Sequence, residues 1–288
     1  MRTKMDELRS AATSPKVSLF DTTNARYLIW SSRDCLAPLL LADGISEPST
    51  HHLSLEIIKR CRSKIVVDVG ANIGSWAIPL ANKLDNKILF YCFEVQRLVF
   101  YQLCGNIFLN RLENIFPYHC AVGGDDSEIE IPKIFDYSAC TNVGAFSINK
   151  TVVASNRYDF QQHLLRGKEV VQLRRLDSLQ LPEAGLIKID VEGHELEVLR
   201  GGVELLRRSG YPPILFEMWD TETHPWYAGA REDLLGFLAS LGYSKIERIS
   251  PLEINYLAQH PANADMKIEF ERNPQGILVN IIIWAKSE

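Results

Sequence analysis

The chain has 288 residues, of which 46% are hydrophobic and 23% charged, and its formal net charge is −5. That balance excludes a disordered, collagenous or coiled-coil chain and speaks against a basic nucleic-acid binder. The length supports a core that needs no metal or crosslink. Apolar runs near Ile88–Phe93 and Ile277–Trp284 are far shorter than the ~20 residues a bilayer requires. No apolar signal core follows the Met1-Arg-Thr-Lys start, and the six cysteines show no Cys-x-x-Cys pair. Reduced thiols and a cytoplasmic setting are expected.

Taken in chain order, Val17–Phe20 and Arg26–Trp30 flank a turn-like Asp21-Thr-Thr-Asn and predict a hairpin. Ser49 or Thr50 is expected to cap a helix carrying Leu53, Leu55, Ile57 and Ile58. From Lys64 onward, β-branched runs alternate with helical periodicity, the pattern of a parallel sheet with crossover helices. The expected strands are Ile65–Val69, Ile88–Glu94, Ile115–Ala121, Leu186–Asp190, Ile214–Met218, Tyr243–Ile249 and Ile277–Trp284. The expected helices are Ser75–Leu84, Arg97–Leu112, His194–Arg208 and Arg231–Leu241. Residues 123–183 break the alternation and read as an insertion with strands at Glu128–Ile131 and Val170–Leu173. The chain thus divides into an N-terminal extension, 1–63, and a domain, 64–288.

The first motif is Val66-Val-Asp-Val-Gly-Ala-Asn-Ile-Gly74, a buried strand that turns into a helix. Glycines let the backbone pass close to a ligand, and a helix start offers free N–H groups. A nicotinamide-dependent oxidoreductase needs Gly-x-Gly-x-x-Gly, and Asn72 stands where the second glycine belongs. The second motif is Phe93-Glu94-Val95, about 20 residues on, where a carboxylate can accept hydrogen bonds from ribose hydroxyls. The third is Ile187-Lys-Ile-Asp-Val-Glu-Gly-His-Glu195, continuing to Gly202.

Together these motifs resemble the FkbM family of S-adenosyl-L-methionine-dependent methyltransferases. Ala121-Val-Gly123, Arg175-Leu-Asp-Ser-Leu179 and Pro213-Ile-Leu-Phe-Glu217 fit the same pattern, so the resemblance runs from about Glu47 to Met218. It implies an α/β, Rossmann-like class I methyltransferase fold. Such a fold has seven strands, mostly parallel with the last antiparallel, and helices on both faces. It also implies that Asp68, Gly70, Ala71, Asn72 and Gly74 surround the methionyl part of the cofactor. Glu94, with Val95, would hold the ribose, and Asp190 would lie nearest the methyl group. Phe-Glu-Val replaces the usual Phe-Glu-Pro, and no residue is marked out for the adenine.

Asp68, Glu94, Asp190 and Glu217 all fall at carboxyl ends of strands, where ligands bind in open α/β sheets. Methyl transfer to oxygen or nitrogen needs positioning and a proton acceptor. Asp190, His194, Glu192 and Glu217 are the candidates. His194 has the best ordinary pKa, but it opens a helix whose positive end disfavours the imidazolium. A metal held by Asp190, Glu217, Asp220 and His224 is a lesser alternative, and none is expected. Trp219, Trp226 and their neighbours suit a wall against a sugar ring or flat acceptor, and Tyr137, Asn142 and Ser147 suit a lid. The expected activity is O-methylation of a sugar or secondary-metabolite hydroxyl, with a small-molecule or glycan acceptor. N-methylation, ribose methylation and a silent cofactor-binding module remain open. The N-terminal hairpin is a candidate homodimer contact.

Overall fold

The N-terminal hairpin forms as its turn chemistry suggests: Val17–Asp21 (β1) and Arg26–Trp30 (β2) pair antiparallel, Val17 opposite Trp30. The computed structural model describes residues 17–30, 36–41, 43–134, 147–149, 152, 165–263, 266–276 and 278–285. Tyr137 and Asn142, expected in a lid, lie outside these residues. The open edge of β2 is held by amides spaced four apart on one face of Arg97–Leu109, a helix defined below: Gln102 donates to the Leu28 carbonyl, Asn106 accepts the Leu28 N–H, and Asn110 accepts the Arg26 N–H. Asn106 also donates to the Ile73 carbonyl, at 2.9 Å, and so ties the hairpin to the glycine turn.

Leu36–Leu40 (α1) leads to Pro48–Arg60 (α2). Ser49 and Thr50 do not cap α2, because Pro48, preset for a first helical turn, starts it one residue earlier. Their N–H groups, which have no partner within the first helical turn, instead donate to the carboxylate of Glu253, at 2.8 and 2.9 Å. Ile65–Val69 (β3) follows, then Ala77–Lys83 (α3), Leu89–Glu94 (β4), Arg97–Leu109 (α4) and Ile115–His119 (β5). Ala121–Val122 (β6), Ser127–Ile134 (β7) and Leu165–Arg174 (β8) make a separate sheet in the order β6-β8-β7, formed mostly by the expected insertion.

Leu186–Ile189 (β9) is followed by Glu195–Arg200 (α5), Val203–Arg208 (α6) and Ile214–Glu217 (β10). The single helix expected from His194 to Arg208 is broken at Gly201-Gly202. Two consecutive glycines weaken a helix, and a Cβ at Gly201 would lie 1.9 Å from the Gly123 carbonyl oxygen. Ala228–Ser240 (α7), Lys245–Arg248 (β11), Asn255–Gln259 (β12), Met266–Arg272 (β13) and Leu278–Ala285 (β14) complete the order.

Seven strands form one sheet, β11-β12-β10-β9-β3-β4-β5, in which only β12 runs against the others. This is the mostly parallel class I methyltransferase arrangement, with one correction to the expected strands. The reversed strand is Asn255–Gln259. The more hydrophobic Ile277–Trp284 run, described from Leu278, pairs with β13 in a hairpin outside the sheet. That hairpin lays Ile268, buried, and Ile281 and Ile283, half-buried, on the core beside α2 without joining the sheet. β12 was missed because Asn255 and Gln259 bracket it and only Leu257 and Ala258 read as core.

Alternation along the strands separates the two faces. Val67, Val69, Ile187 and Ile189 pack with α5, α6 and α7, while Val66, Phe90 and Leu186 pack with α2, α3 and α4. Asp68 and Lys188 share the second face and pair directly across β3 and β9. Two residues further along lie Glu94, Gly70, Asp190 and Glu217, with Asn255 opposite Glu217. The sheet therefore gathers its carboxyl groups along one edge.

Candidate active site

The turn after β3 folds back by two hydrogen bonds, from Gly70 and Ala71 N–H to the Phe93 carbonyl, at 3.0 and 2.9 Å. Gly70 has φ +85°, and a Cβ there would lie 1.8 Å from the Asp190 carbonyl oxygen, so no other residue fits. Asn72 also takes the left-handed region, φ +52°, which asparagine tolerates. Its N–H donates to Glu94 Oε2 at 3.0 Å, and Gln96 N–H donates to Glu94 Oε1 at 2.7 Å. Burial pushes the Glu94 carboxyl up to about 7, against these two donors, which pull it down. Glu94 therefore first orders the turn, and its remaining lone pairs face the cleft it lines.

That cleft is lined by Gly70, Glu94, Val95, Gln96, Asp190 and Glu192, with Ile148 reaching in from the insertion. Ile148 packs with Val95 and Ile131, and Asn149 Nδ2 donates to the Gly193 carbonyl at 2.6 Å. Ser147 is fully buried. Gln96 is 2% exposed, and its Nε2 has no hydrogen-bond partner among the described residues.

Lys188 is the buried cation of the site. Its Nζ donates to Asp190 Oδ2 at 2.7 Å and sits 5.8 Å from the Trp76 ring centroid. Burial opposes its charge, but Asp190, Asp68 and Glu47 together hold the ammonium well above the usual range. Asp68 is fully buried, and neither carboxyl oxygen has a partner among the described residues. Burial pushes Asp68 up to about 6, with Lys188 pulling against it. Glu47, at the start of α2, accepts the Asn255 amide at 2.6 Å. Burial pushes it up to about 7 against the pull of Lys188.

After β9 the chain turns sharply through Glu192 (φ +55°) and Gly193 (φ +90°). One oxygen of Glu195 accepts the N–H groups of Val191 and Gly193, at 3.2 and 3.1 Å. Glu195 is 2% exposed, and burial pushes its carboxyl up to about 8. Carboxyl oxygens of Asp190, Glu192 and Glu217 lie within 4.8 Å of one another. Trp219 Nε1 donates to Glu217 Oε1 at 3.0 Å, and Trp226 and Tyr227 pack edge-on and tilted against the Trp219 ring.

Of the sequence candidates, Gly70, Glu94, Val95, Asp190 and Glu192 line the cleft. Glu217 joins Asp190 and Glu192 at the rim, whereas Asp220 and His224 are not part of that group among the described residues. His194 points elsewhere: its Nε2 lies beside Gly123 and Leu173, and burial lowers its pKa. Gln96, Lys188, Glu195 and Glu47 were not singled out from sequence. Lys188 and Glu195 are inside the third motif, whose charged spacing is their one signal. Nothing local marks Gln96 or Glu47.

The residues present suit S-adenosylmethionine, a sulfonium cation with a nucleoside. Buried carboxyl oxygens at Asp68 lack partners among the described residues, Glu94 offers acceptors at the cleft, and Val95, Ala121, Val122 and Ile148 supply apolar walls. A family model, the methyltransferase FkbM domain, matches residues 68–245. A methyltransferase FkbM from Methylobacillus flagellatus KT is similar in structure. It shows 16% identity and a TM-score of 0.44, over 68% of this chain and 44% of that one. "Methyltransferase 1" of Beauveria bassiana is 25% identical over 145 residues, 47% of this chain and 57% of that protein. A tRNA(Phe) (4-demethylwyosine(37)-C(7)) aminocarboxypropyltransferase of Methanocaldococcus jannaschii is 35% identical over 74 residues, 26% of this chain and 28% of that protein. The chain thus spans less than two thirds of the length of each of these curated relatives.

Proposed function

The chain belongs to the FkbM methyltransferase family, a SAM-dependent one, and from that premise we propose that it methylates a hydroxyl of a sugar or secondary metabolite. The observation that carries the oxygen-acceptor reading is the rim triad: three carboxyl groups within 4.8 Å at the mouth of the cofactor cleft. Carboxylates accept hydrogen bonds from neighbouring hydroxyls and can take the proton that an oxygen nucleophile must lose.

S-adenosylmethionine supplies the electrophilic methyl group. Asp68 and the Gly70–Gly74 turn hold its methionyl end, and Glu94 holds the ribose. Asp190 orients the acceptor and takes its proton, with Lys188 fixing the carboxylate from below. Its place on the cleft supports Asp190 over His194, whose ring lies toward Gly123. Glu192 and Glu217 take the neighbouring hydroxyls, and Trp226 offers an apolar wall. A small-molecule or glycan acceptor agrees with the net charge of −5, which disfavours a polyanionic partner. Among the described residues no helix is long and apolar enough to cross a membrane. Buried free thiols at Cys61, Cys92 and Cys120 support a cytoplasmic setting.

The test incubates the protein and S-adenosylmethionine with cell-extract metabolites and follows the gain of one CH₂ by mass spectrometry. Asp190→Asn is expected to abolish turnover while retaining cofactor binding, and His194→Ala to keep most of it. The reverse pattern refutes the assignment of the base, and methylation confined to nitrogen refutes the acceptor class.

A further inference from the structure

We propose that Gln96 is a specificity-determining residue for the cofactor's base, its carboxamide donating a hydrogen bond to a ring nitrogen of adenine. Part of the cleft is lined by Val95, Gln96, Cys120, Ala121, Val122 and Ile148. Its walls are apolar apart from Gln96, as suits the faces of a flat ring whose edge carries acceptors. Gln96 is 2% exposed, and its Nε2 is sealed from solvent with no partner among the described residues. The Gln96 N–H on Glu94 Oε1 fixes the residue two positions beyond the expected ribose carboxylate.

A buried amide donor without an acceptor is unfavourable, and leucine or methionine would fill the same space without that cost. The glutamine is therefore explained by a ligand that completes its hydrogen bond. Neighbouring polar groups do not complete it among the described residues: the Glu94 oxygens accept the Asn72 and Gln96 N–H groups, and His119 Nε2 is paired with the Val95 carbonyl at 3.1 Å.

The probes are S-adenosylhomocysteine and its 1-, 3- and 7-deaza analogues, each with one ring nitrogen replaced by C–H. Binding is read by calorimetry, and melting temperature is read without ligand. Against the wild-type chain, one deaza analogue is expected to bind about tenfold more weakly than the parent, as for one lost hydrogen bond. In Gln96→Leu, or Gln96→Met if the leucine variant does not fold, the parent weakens by a similar factor and the gap between parent and analogue closes. The ligand-free variant is expected to melt at the same or a higher temperature, since it no longer buries an unpaired donor. Equal binding of all four probes by the wild type, a gap that persists in the variants, or a lower melting temperature of the ligand-free variant would each overturn the proposal.

Discussion

Glu195 offers the sharpest test of how the loop between β9 and α5 is held. Its carboxyl titrates near 4.5 in an unfolded chain, and burial raises it to about 8 in the fold. Between those values the folded state binds a proton that the unfolded state has released, so this group lowers stability as pH rises. The slope is about 1.36 kcal/mol per pH unit for one such group. Glu195→Gln keeps the oxygen that accepts from Val191 and Gly193 and removes the titration. The variant's stability relative to wild type should therefore rise by about 2.7 kcal/mol between pH 5.5 and pH 7.5. Urea denaturation at those two pH values measures this directly. In a chain of this size the relative melting temperature should rise by about 5–10 °C over the same interval. Other buried carboxyls titrate in both proteins and cancel in the difference. A stability difference that does not change with pH would refute the reasoning. It would mean that Glu195 is ionised in the folded protein and grips the loop as a charge.

Lys188→Met strands Asp68, Asp190 and Glu47 without their shared cation, and should cost about 3–5 kcal/mol in denaturant unfolding at pH 7.5. The loss should shrink at pH 5.5, where burial keeps the stranded Asp68 and Glu47 protonated; a variant as stable as wild type at both pH values would contradict this. Gly70→Ala forces a side chain against the Asp190 carbonyl at positive φ, so the melting temperature should fall by several degrees and S-adenosylhomocysteine binding by at least about tenfold. Unchanged calorimetric affinity would remove Gly70 from the cofactor turn. Because Lys188 already engages Asp190, turnover should stay within about twofold after dialysis against EDTA. A loss restored by magnesium would show that the rim triad holds an ion.

The motifs legible in the sequence are those whose physics is local. Ile65–Val69 and Leu186–Ile189 are rich in β-branched residues because both of their faces are covered, and each apolar run is broken by one charged residue, Asp68 or Lys188. Gly70 is demanded by its own backbone angle and by one close carbonyl, and Glu94 stands where the next parallel strand must end. These features alone pointed to the cleft that Gly70 and Glu94 line.

The remainder depended on which distant segments meet. Whether Asn255–Gln259 or the richer run after it would reverse into the sheet was decided by which strand could reach the open edge of β10. Hydrophobicity does not separate the two, since a covering hairpin also packs its apolar face on the core. Asp68 and Lys188 are 120 positions apart in the numbering and become cross-strand neighbours because β3 lies beside β9. Glu253 caps a helix two hundred residues earlier in the chain. The sequence by itself determined the sheet's centre, the glycine turn and the family. Tertiary structure alone decided which polar groups became buried, and hence their protonation and their partners, because desolvation is set by everything packed around an atom and by nothing in its own neighbourhood of the chain.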